Sequence, residues 1–566
     1  MSINGDKNSP ASNTRTPVWK PHQNDLTAAK DFVEQVEKNG GIPQWVRRFA
    51  GPFNDRSVRD VVDEFLSNPR QIVWQRWSKA YMDDGLGSMV IPNLYFEDGK
   101  PALKYCLFLS RPEESLRIGS HHVSKDAELS VMESKHVVNT PNVSEWKRQR
   151  RHITDAFLPH TVMSKFVIKL TRMSQEMCNN WLAELQAEAG SRESTIDVRS
   201  WMHHTALAMF INCMMGDDRA YSQPYAKPEA ADLNMFARYE DDLEFADTTP
   251  INSIAPRSVF NLEGARRELS AKEAEQRLQK ILSFPLKLIA RGDARKRSGK
   301  EIGPLLERLM ELEQEDVKLT NMIATLIAGH DTTAYTMQYC LMELARNPRI
   351  QSKARAEVND IYDEIEQSGR NIEFSDIPRF TFVTKCICET LRMWNVASTV
   401  FPRVTTFDDT IVGRDGSDVK LPKGTKFSFW YYGQHHSQTL WGKDAMKYNP
   451  DRKWQPEELQ QSSDPDSPLQ GTSVTPCTNR FHPFSIPTRD CIGKNFALTE
   501  MRILIPYILR NFRLEIPLHS ELKHVKPSVD DPIYCSWAYN ISGPVQPHVL
   551  KLKVIPIRNS THTSKL

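Results

Sequence analysis

The sequence predicts a mainly helical protein with small β-sheets, built as one large domain. Of its 566 residues, 39% are hydrophobic and 25% charged, a globular balance with room for a sizeable core. Amphipathic stretches of helical period fill most of the chain, while alternating strand-like runs are short and sit toward its two ends. No internal repeat appears, and no boundary separates two independent cores.

Taken in order, residues 1–25 are rich in Asn, Ser, Pro, Thr and Lys, lack an apolar signal core, and read as a disordered lead to a domain over 26–560. The runs 88–96 and 102–109 flank Glu97-Asp98-Gly99, a hairpin signal. Helical stretches follow at about 144–158, 162–188, 198–215, 268–291 and 303–346, then at about 349–366, 379–393 and 494–512. Between them, the basic polar segment Gly292–Lys300 reads as a loop, and 456–478, rich in Gln, Ser, Pro, Asp and Thr, as a surface insertion. Val549–Ile555 returns to a strand pattern. The longest apolar run, Ala206–Met215, is about half of the roughly 18–20 residues needed to span a bilayer, and reads as a buried helix.

A net charge of +2 gives no reason to expect nucleic acid. Nine cysteines fall at no zinc or disulfide-framework spacing, and an odd number suits a reducing compartment. There is no phosphate-cradling glycine loop, nucleophile elbow or dinucleotide fingerprint. The pairs His203-His204 and His435-His436 lack metal-site spacing and read as structural or surface residues.

Chemistry concentrates in Phe484-Ser-Ile-Pro-Thr-Arg489-Asp-Cys491-Ile-Gly493, directly before a helix-forming run from Lys494. A cysteine ahead of a helix N-terminus sits in positive potential, which favours the metal-ligating thiolate. With no second cysteine or histidine nearby, such a sulfur suits a haem iron better than zinc, which takes three or four protein ligands. The alternative is an ordinary buried cysteine on a turn.

A second cluster, Ala328-Gly-His-Asp331-Thr332-Thr333, lies inside a helical run of roughly 40 Å from Leu319 to Arg346. Gly, Asp and Thr are poor helix formers, so their grouping points to function. Ala328 and Gly329 leave space for a flat ligand or dioxygen, Thr332 borders that gap, and Asp331 can supply protons through water. The alternative is a kinked core helix whose threonines bond back to the preceding turn.

These stretches resemble the cytochrome P-450 superfamily of eukaryotic microsomal type. The cysteine loop is similar to Phe-x-x-Gly-x-Arg-x-Cys-x-Gly, departing where Pro487 replaces the usual glycine, so the turn before Arg489 must be built differently. Ala328–Thr333 resembles the distal-helix signature. Glu389-Thr-Leu-Arg392 with Arg452 resembles the Glu-x-x-Arg triad, expected to be structural, and Trp146-Lys-Arg-Gln-Arg150 resembles the Trp-x-x-x-Arg helix.

The resemblance implies the superfamily's fold, with haem b (iron protoporphyrin IX) between a long distal helix and the proximal cysteine loop. It makes Cys491 the axial metal ligand, with Phe484 packed near the sulfur. Trp146, Arg150, Arg403 and Arg489 would bind the propionates, and Thr332 and Asp331 would deliver protons for O–O cleavage. The implied enzyme is an oxidoreductase, a haem- and iron-binding monooxygenase that hydroxylates or epoxidises a lipophilic substrate. Its electrons come from a separate flavoprotein of NADPH-cytochrome P-450 reductase type, for which Lys147, Arg148 and Arg151 offer a positive patch. The alternatives are a reductase-independent isomerase or dehydratase and a non-catalytic haem sensor.

By the same resemblance, pocket walls come from 118–143, Ile323, Leu326, Ala328, Val396–Val400 and Tyr534–Trp537, and Leu440–Ala445 resembles fatty-acid and alkane hydroxylases. The expected location is cytoplasmic or peripheral on the endoplasmic reticulum, unless an anchor is missing from this version of the chain.

Overall fold

The computed structural model describes residues 23–67, 70–97, 100–126, 135–157, 159–187, 195–217, 271–397, 402–459, 478–518, 520–523 and 550–557. The longer helices are α1 (Gln23–Lys38), α2 (Val58–Leu66), α3 (Arg70–Tyr81), α4 (Pro112–His121), α5 (Val143–Thr154), α6 (Pro159–Ala187) and α7 (Val198–Phe210). They continue with α8 (Ala271–Arg297), α9 (Pro304–Met310), α10 (Glu315–Arg346), α11 (Pro348–Gln367), α12 (Thr381–Met393) and α13 (Lys494–Asn511).

Three small sheets accompany them. β1 (Ser88–Glu97) and β2 (Lys100–Leu109) form an antiparallel hairpin in register Glu97↔Lys100, whose turn lies outside the described residues. Along the four-stranded sheet the order is β1, β2, β7 (Lys426–Phe429), β4 (Arg403–Val404). A second sheet orders β3 (Thr195–Asp197), β9 (Lys551–Pro556) and β8 (Phe512–Glu515), and β5 (Asp409–Val412) pairs with β6 (Asp418–Leu421).

Two apolar clusters follow from this layout. One gathers α5 to α13 around α10, with Trp181, Tyr339 and Trp394 buried in it. The other sits under the four-stranded sheet and takes in Phe49, Phe65, Phe108, Trp430 and Ile486. Among the described residues no helix is long and apolar enough to cross a membrane; Ala206–Met215 is buried, as α7 followed by a π-turn over Ile211–Met215.

Several boundaries differ from the expectation. The helical run expected over 303–346 is two helices broken at Glu311–Gln314, a stretch without Gly or Pro; only Glu315 and Asp316, favourable at a helix N-terminus, mark the new start. The loop expected at Gly292–Lys300 is instead helix to Arg297. A Cβ at Gly292 would meet Leu306 Cδ2 at 2.7 Å, so this glycine lets α9 approach α8, and Arg295, Lys296 and Arg297 complement the helix C-terminus. α1 begins at Gln23, inside the expected lead, whose residues 1–22 lie outside the described ones, as do 460–477 of the polar insertion.

Candidate active site

The proximal loop is closed by the Cys491 backbone N–H, which donates to the Phe484 carbonyl at 2.9 Å. Proline at 487 is accommodated by two neighbours in left-handed backbone conformation, Ser485 (φ 67°) and Thr488 (φ 80°). Buried Ile486 pins the loop beneath the sheet. A Cβ on Gly119 would meet Ile486 Cδ1 at 2.1 Å and Phe429 Cζ at 2.9 Å, so only glycine admits the loop there. Phe484 is half-buried against the helical core.

The Cys491 residue surface is accessible, yet the chain around the sulfur desolvates it and pushes its thiol pKa up. The Gly493 backbone N–H and the charges of Lys494 and Arg150 oppose this incompletely. The helix terminus favours the thiolate, and burial acts in the opposite direction on this sulfur.

Beside the loop, a cap on Asn142 starts α5, its side chain accepting from the Ser144 and Glu145 amides at 3.0 and 3.1 Å. One turn apart, Trp146 and Arg150 then share a face. The Arg489 guanidinium carbon lies 4.2 Å from the Trp146 ring centroid, and Arg489 donates to the Val123 and Thr140 carbonyls. Arg403, fully buried, donates one bond to Gly119 O at 2.7 Å; its Nε and Nη2 are buried with no hydrogen-bond partner. Lys125, bridged to Arg403 along the backbone, is also buried, and burial plus Arg403 and Arg489 depress its pKa strongly. Burial pushes Arg403 down to about 10. Arg489 is pushed down to about 9 by burial and by Arg403 and Arg150.

Arg403, with two buried N–H groups lacking a partner, lies beside buried Arg489 and Lys125, and the propionate carboxylates of a haem fit such a seat. Lys125 and Gly119 lie within the expected pocket wall 118–143, but their place beside Arg403 is not read from the sequence because neither lies in a motif. Arg150, expected to grip a propionate, lies against the loop. Its two terminal nitrogens donate to the Asp490 carbonyl (2.7 Å) and carboxylate (2.5 Å), so it braces the loop, as Lys494 does through the same carboxylate.

On the distal side, Thr332 is partly open and its hydroxyl donates back to Ala328 O at 3.0 Å, as do Thr325 and Thr336 to their own i−4 carbonyls. The back-bonded threonines of the alternative reading are therefore present, alongside an exposed Ala328. Gly329 does not face a ligand space: a Cβ there would meet Phe210 Cε2 at 2.3 Å, so the glycine serves packing of α10 on α7. Phe210 in turn stands edge-on to Phe496 of α13, 5.8 Å between centroids. Asp331 is fully buried toward α7, its Oδ1 2.6 Å from His330 Nε2 and 3.6 Å from His203 Nδ1. His203 is thus no surface residue, and neither are His435 and His436, which are buried.

Behind the loop, Glu389 accepts paired bonds from Arg392 (2.9 and 2.8 Å) and from Arg452 (both 2.9 Å). Arg392 further donates to the His435 and Ala445 carbonyls. Of the expected pocket walls, 127–134, 398–400 and 534–537 lie outside the described residues.

The family pattern for Cytochrome P450 matches residues 116–530, most of the chain and all the groups above. The chain belongs to the cytochrome P450 family. Its fold is therefore the mainly helical P450 fold with small sheets, and its class that of haem-thiolate monooxygenases. The P450 "4F1" of Rattus norvegicus is 28% identical over 65% of this chain and 67% of its own length. A Mus musculus P450, leukotriene-B4 omega-hydroxylase 3, is 28% identical over 65% of this chain and 67% of its own. The ultra-long-chain fatty acid omega-hydroxylase of Homo sapiens is 31% identical over 46% of this chain and 41% of its own.

Proposed function

We propose that this P450 hydroxylates a lipophilic substrate with an acyl chain, using electrons from a separate NADPH-dependent flavoprotein reductase. The observation that carries the haem chemistry is the accessible Cys491 on a closed loop beside buried Arg403, two of whose nitrogens lack a partner, with Arg489 next to it. The acyl substrate rests on relatives named as fatty-acid and leukotriene omega-hydroxylases and on the similar Leu440–Ala445 stretch.

When bound, the haem supplies dioxygen activation, so that one oxygen atom enters the substrate and the other leaves as water. Cys491 would contribute the ligating sulfur, and its binding as thiolate would release the thiol proton. Arg403, Arg489 and Lys125 would hold the propionates, with the Arg489 guanidinium over the Trp146 ring. Arg150 and Lys494 keep Asp490, and with it the loop, in place. Thr332 holds a hydroxyl at the partly open flank of α10, and Asp331 is the acid that recharges it.

The test is the reduced carbon monoxide spectrum of the haem-loaded protein, followed by turnover of medium- to long-chain fatty acids with reductase and NADPH. Cys491→Ser should abolish the red-shifted band and all product. A serine variant with the native band would refute the ligand assignment, and wild-type protein with that band but no acyl product would refute the substrate.

A further inference from the structure

The turn over His136–Thr140 is strung between the distal helix and the proximal loop. The His136 carbonyl closes it, accepting from the Asn139 and Thr140 amides at 3.2 and 2.9 Å. Val137 is tied on both sides: its amide donates to Asn321 Oδ1 of α10 at 2.9 Å, and its carbonyl lies 3.5 Å from Arg489 Nη1. The Thr140 carbonyl accepts from the same guanidinium at 2.9 Å. Between these ties, Val138 packs partly buried against Ile323 and Ala324, which form a small apolar cluster of their own.

Asn321 is fully buried, and each polar atom of its side chain is bonded. The Val137 N–H can only donate, which fixes Oδ1 toward it. Nδ2 then donates to the Val317 carbonyl at 2.9 Å and to Gln149 Oε1 at 3.0 Å. Gln149 of α5, also buried, returns to the same segment, its Nε2 donating to the Lys135 carbonyl at 2.8 Å. Two amide side chains from different helices thus hold one loop in a satisfied network, the kind that specifies a single arrangement. On α10, Asn321 shares a face with Thr325, Ala328 and Thr332. That face runs from buried Asn321 to partly open Thr325, exposed Ala328 and partly open Thr332. Asn321 closes it roughly 16 Å along the axis from Thr332.

We propose that Asn321 is a positioning residue for substrate selection: by holding the Val137 amide it fixes Val138 as a wall beside the Thr332 face. It so sets how the alkyl chain of a substrate lies and which of its carbons is oxygenated. The inference rests on the acyl-substrate reading above for the identity of that chain, but not for the wall. Without Oδ1 the Val137 N–H would be buried and unpaired, so the turn would shift toward another acceptor. Arg489 would keep the Val123 and Thr140 carbonyls, so the haem seat should survive the change.

Two measurements on the haem-loaded protein test this. They use Asn321→Leu, which offers no acceptor, and Gln149→Met, which cuts the second tie and leaves the Val137–Asn321 bond. The first is hydrogen–deuterium exchange of the peptide spanning 135–140, which needs no turnover. The second is affinity for a graded series of n-alkylimidazoles, whose ring ligates the iron and whose chain lies in the pocket, read from the haem absorption band. Beside it, the position of hydroxylation on fatty acids is measured with reductase and NADPH. Asn321→Leu should keep the reduced carbon monoxide band and speed exchange about threefold to tenfold. It should also move the preferred alkyl length and spread product over neighbouring carbons, with KM raised several-fold and kcat changed less. Gln149→Met should act in the same direction more weakly, and it carries the test alone if the leucine variant does not fold.

Wild-type alkyl-length preference and product positions in both variants, even with faster exchange, would leave Asn321 a packing residue and overturn the proposal. Unchanged exchange would show that Asn321 does not hold the turn, and would overturn it too. An altered alkylimidazole preference, with no fatty-acid product even from the wild type, would uphold the wall and defeat the acyl-substrate reading instead.

Discussion

Arg392 and Arg403 are both fully buried arginines, and the fold treats them in opposite ways. Arg392 has every nitrogen engaged, by Glu389 and by backbone carbonyls, and Arg452 completes the same carboxylate. Arg403 keeps two nitrogens without partners and faces other cations instead of an acid. An unpaired buried charge is too costly to persist without a purpose, so a satisfied cluster reads as scaffold and an unsatisfied one as a ligand seat. Glu500 shows a third outcome. Its carboxyl oxygens, fully buried in α13, have no hydrogen-bond partner among the described residues, and burial raises its pKa well above the usual range. Burial favours its neutral, protonated form.

The comparison breaks most sharply at the triad. Glu389→Ala strands two buried guanidinium groups and should cost about 3–5 kcal/mol, seen as loss of folded protein in thermal unfolding with or without haem. Next is Glu500→Gln. A group whose folded pKa is raised contributes stability that is complete below its unfolded value, near 4.5, and that is lost as pH climbs toward the folded value. The glutamine variant should match wild type near that pH and gain about 1.4 kcal/mol per pH unit above it, up to about 3 kcal/mol at neutrality. A constant gap between the two unfolding curves across pH would show that the carboxyl is not the cause. Smallest is Arg403→Met, which should weaken haem retention by about 1.5–3 kcal/mol while leaving the apoprotein as stable as wild type or more so. Transfer of haem to an acceptor protein measures the first half, and apoprotein unfolding the second. Destabilisation of the apoprotein would place Arg403 with the scaffold after all.

The residues legible in the sequence are those whose function needs local spacing. Cys491, Arg489 and Phe484 share one loop, Thr332 sits four residues beyond Ala328, and Glu389 and Arg392 share a helical face. What stayed hidden depends on tertiary proximity. Lys125 meets Arg403 only through β-bridging, His203 meets Asp331 only because α7 crosses α10, and Gly119 matters only because Ile486 lies over it. Local reading also erred where a residue type has two uses. Glycine at 292 and 329 suggested a break and a ligand gap, whereas both glycines permit helices to touch. Arg150, expected on a propionate, also pairs with the Asp490 carboxylate, a contact its motif did not suggest.

Proline at 487 carries one more consequence. Thr488, a β-branched residue, occupies the positive-φ corner at 80°, a conformation that costs on the order of 1–3 kcal/mol outside glycine. Restoring the family's glycine at 487 would therefore loosen the wrong joint. The hinge has migrated one residue toward the sulfur, and an engineer wishing to relax this turn should begin with Thr488→Gly.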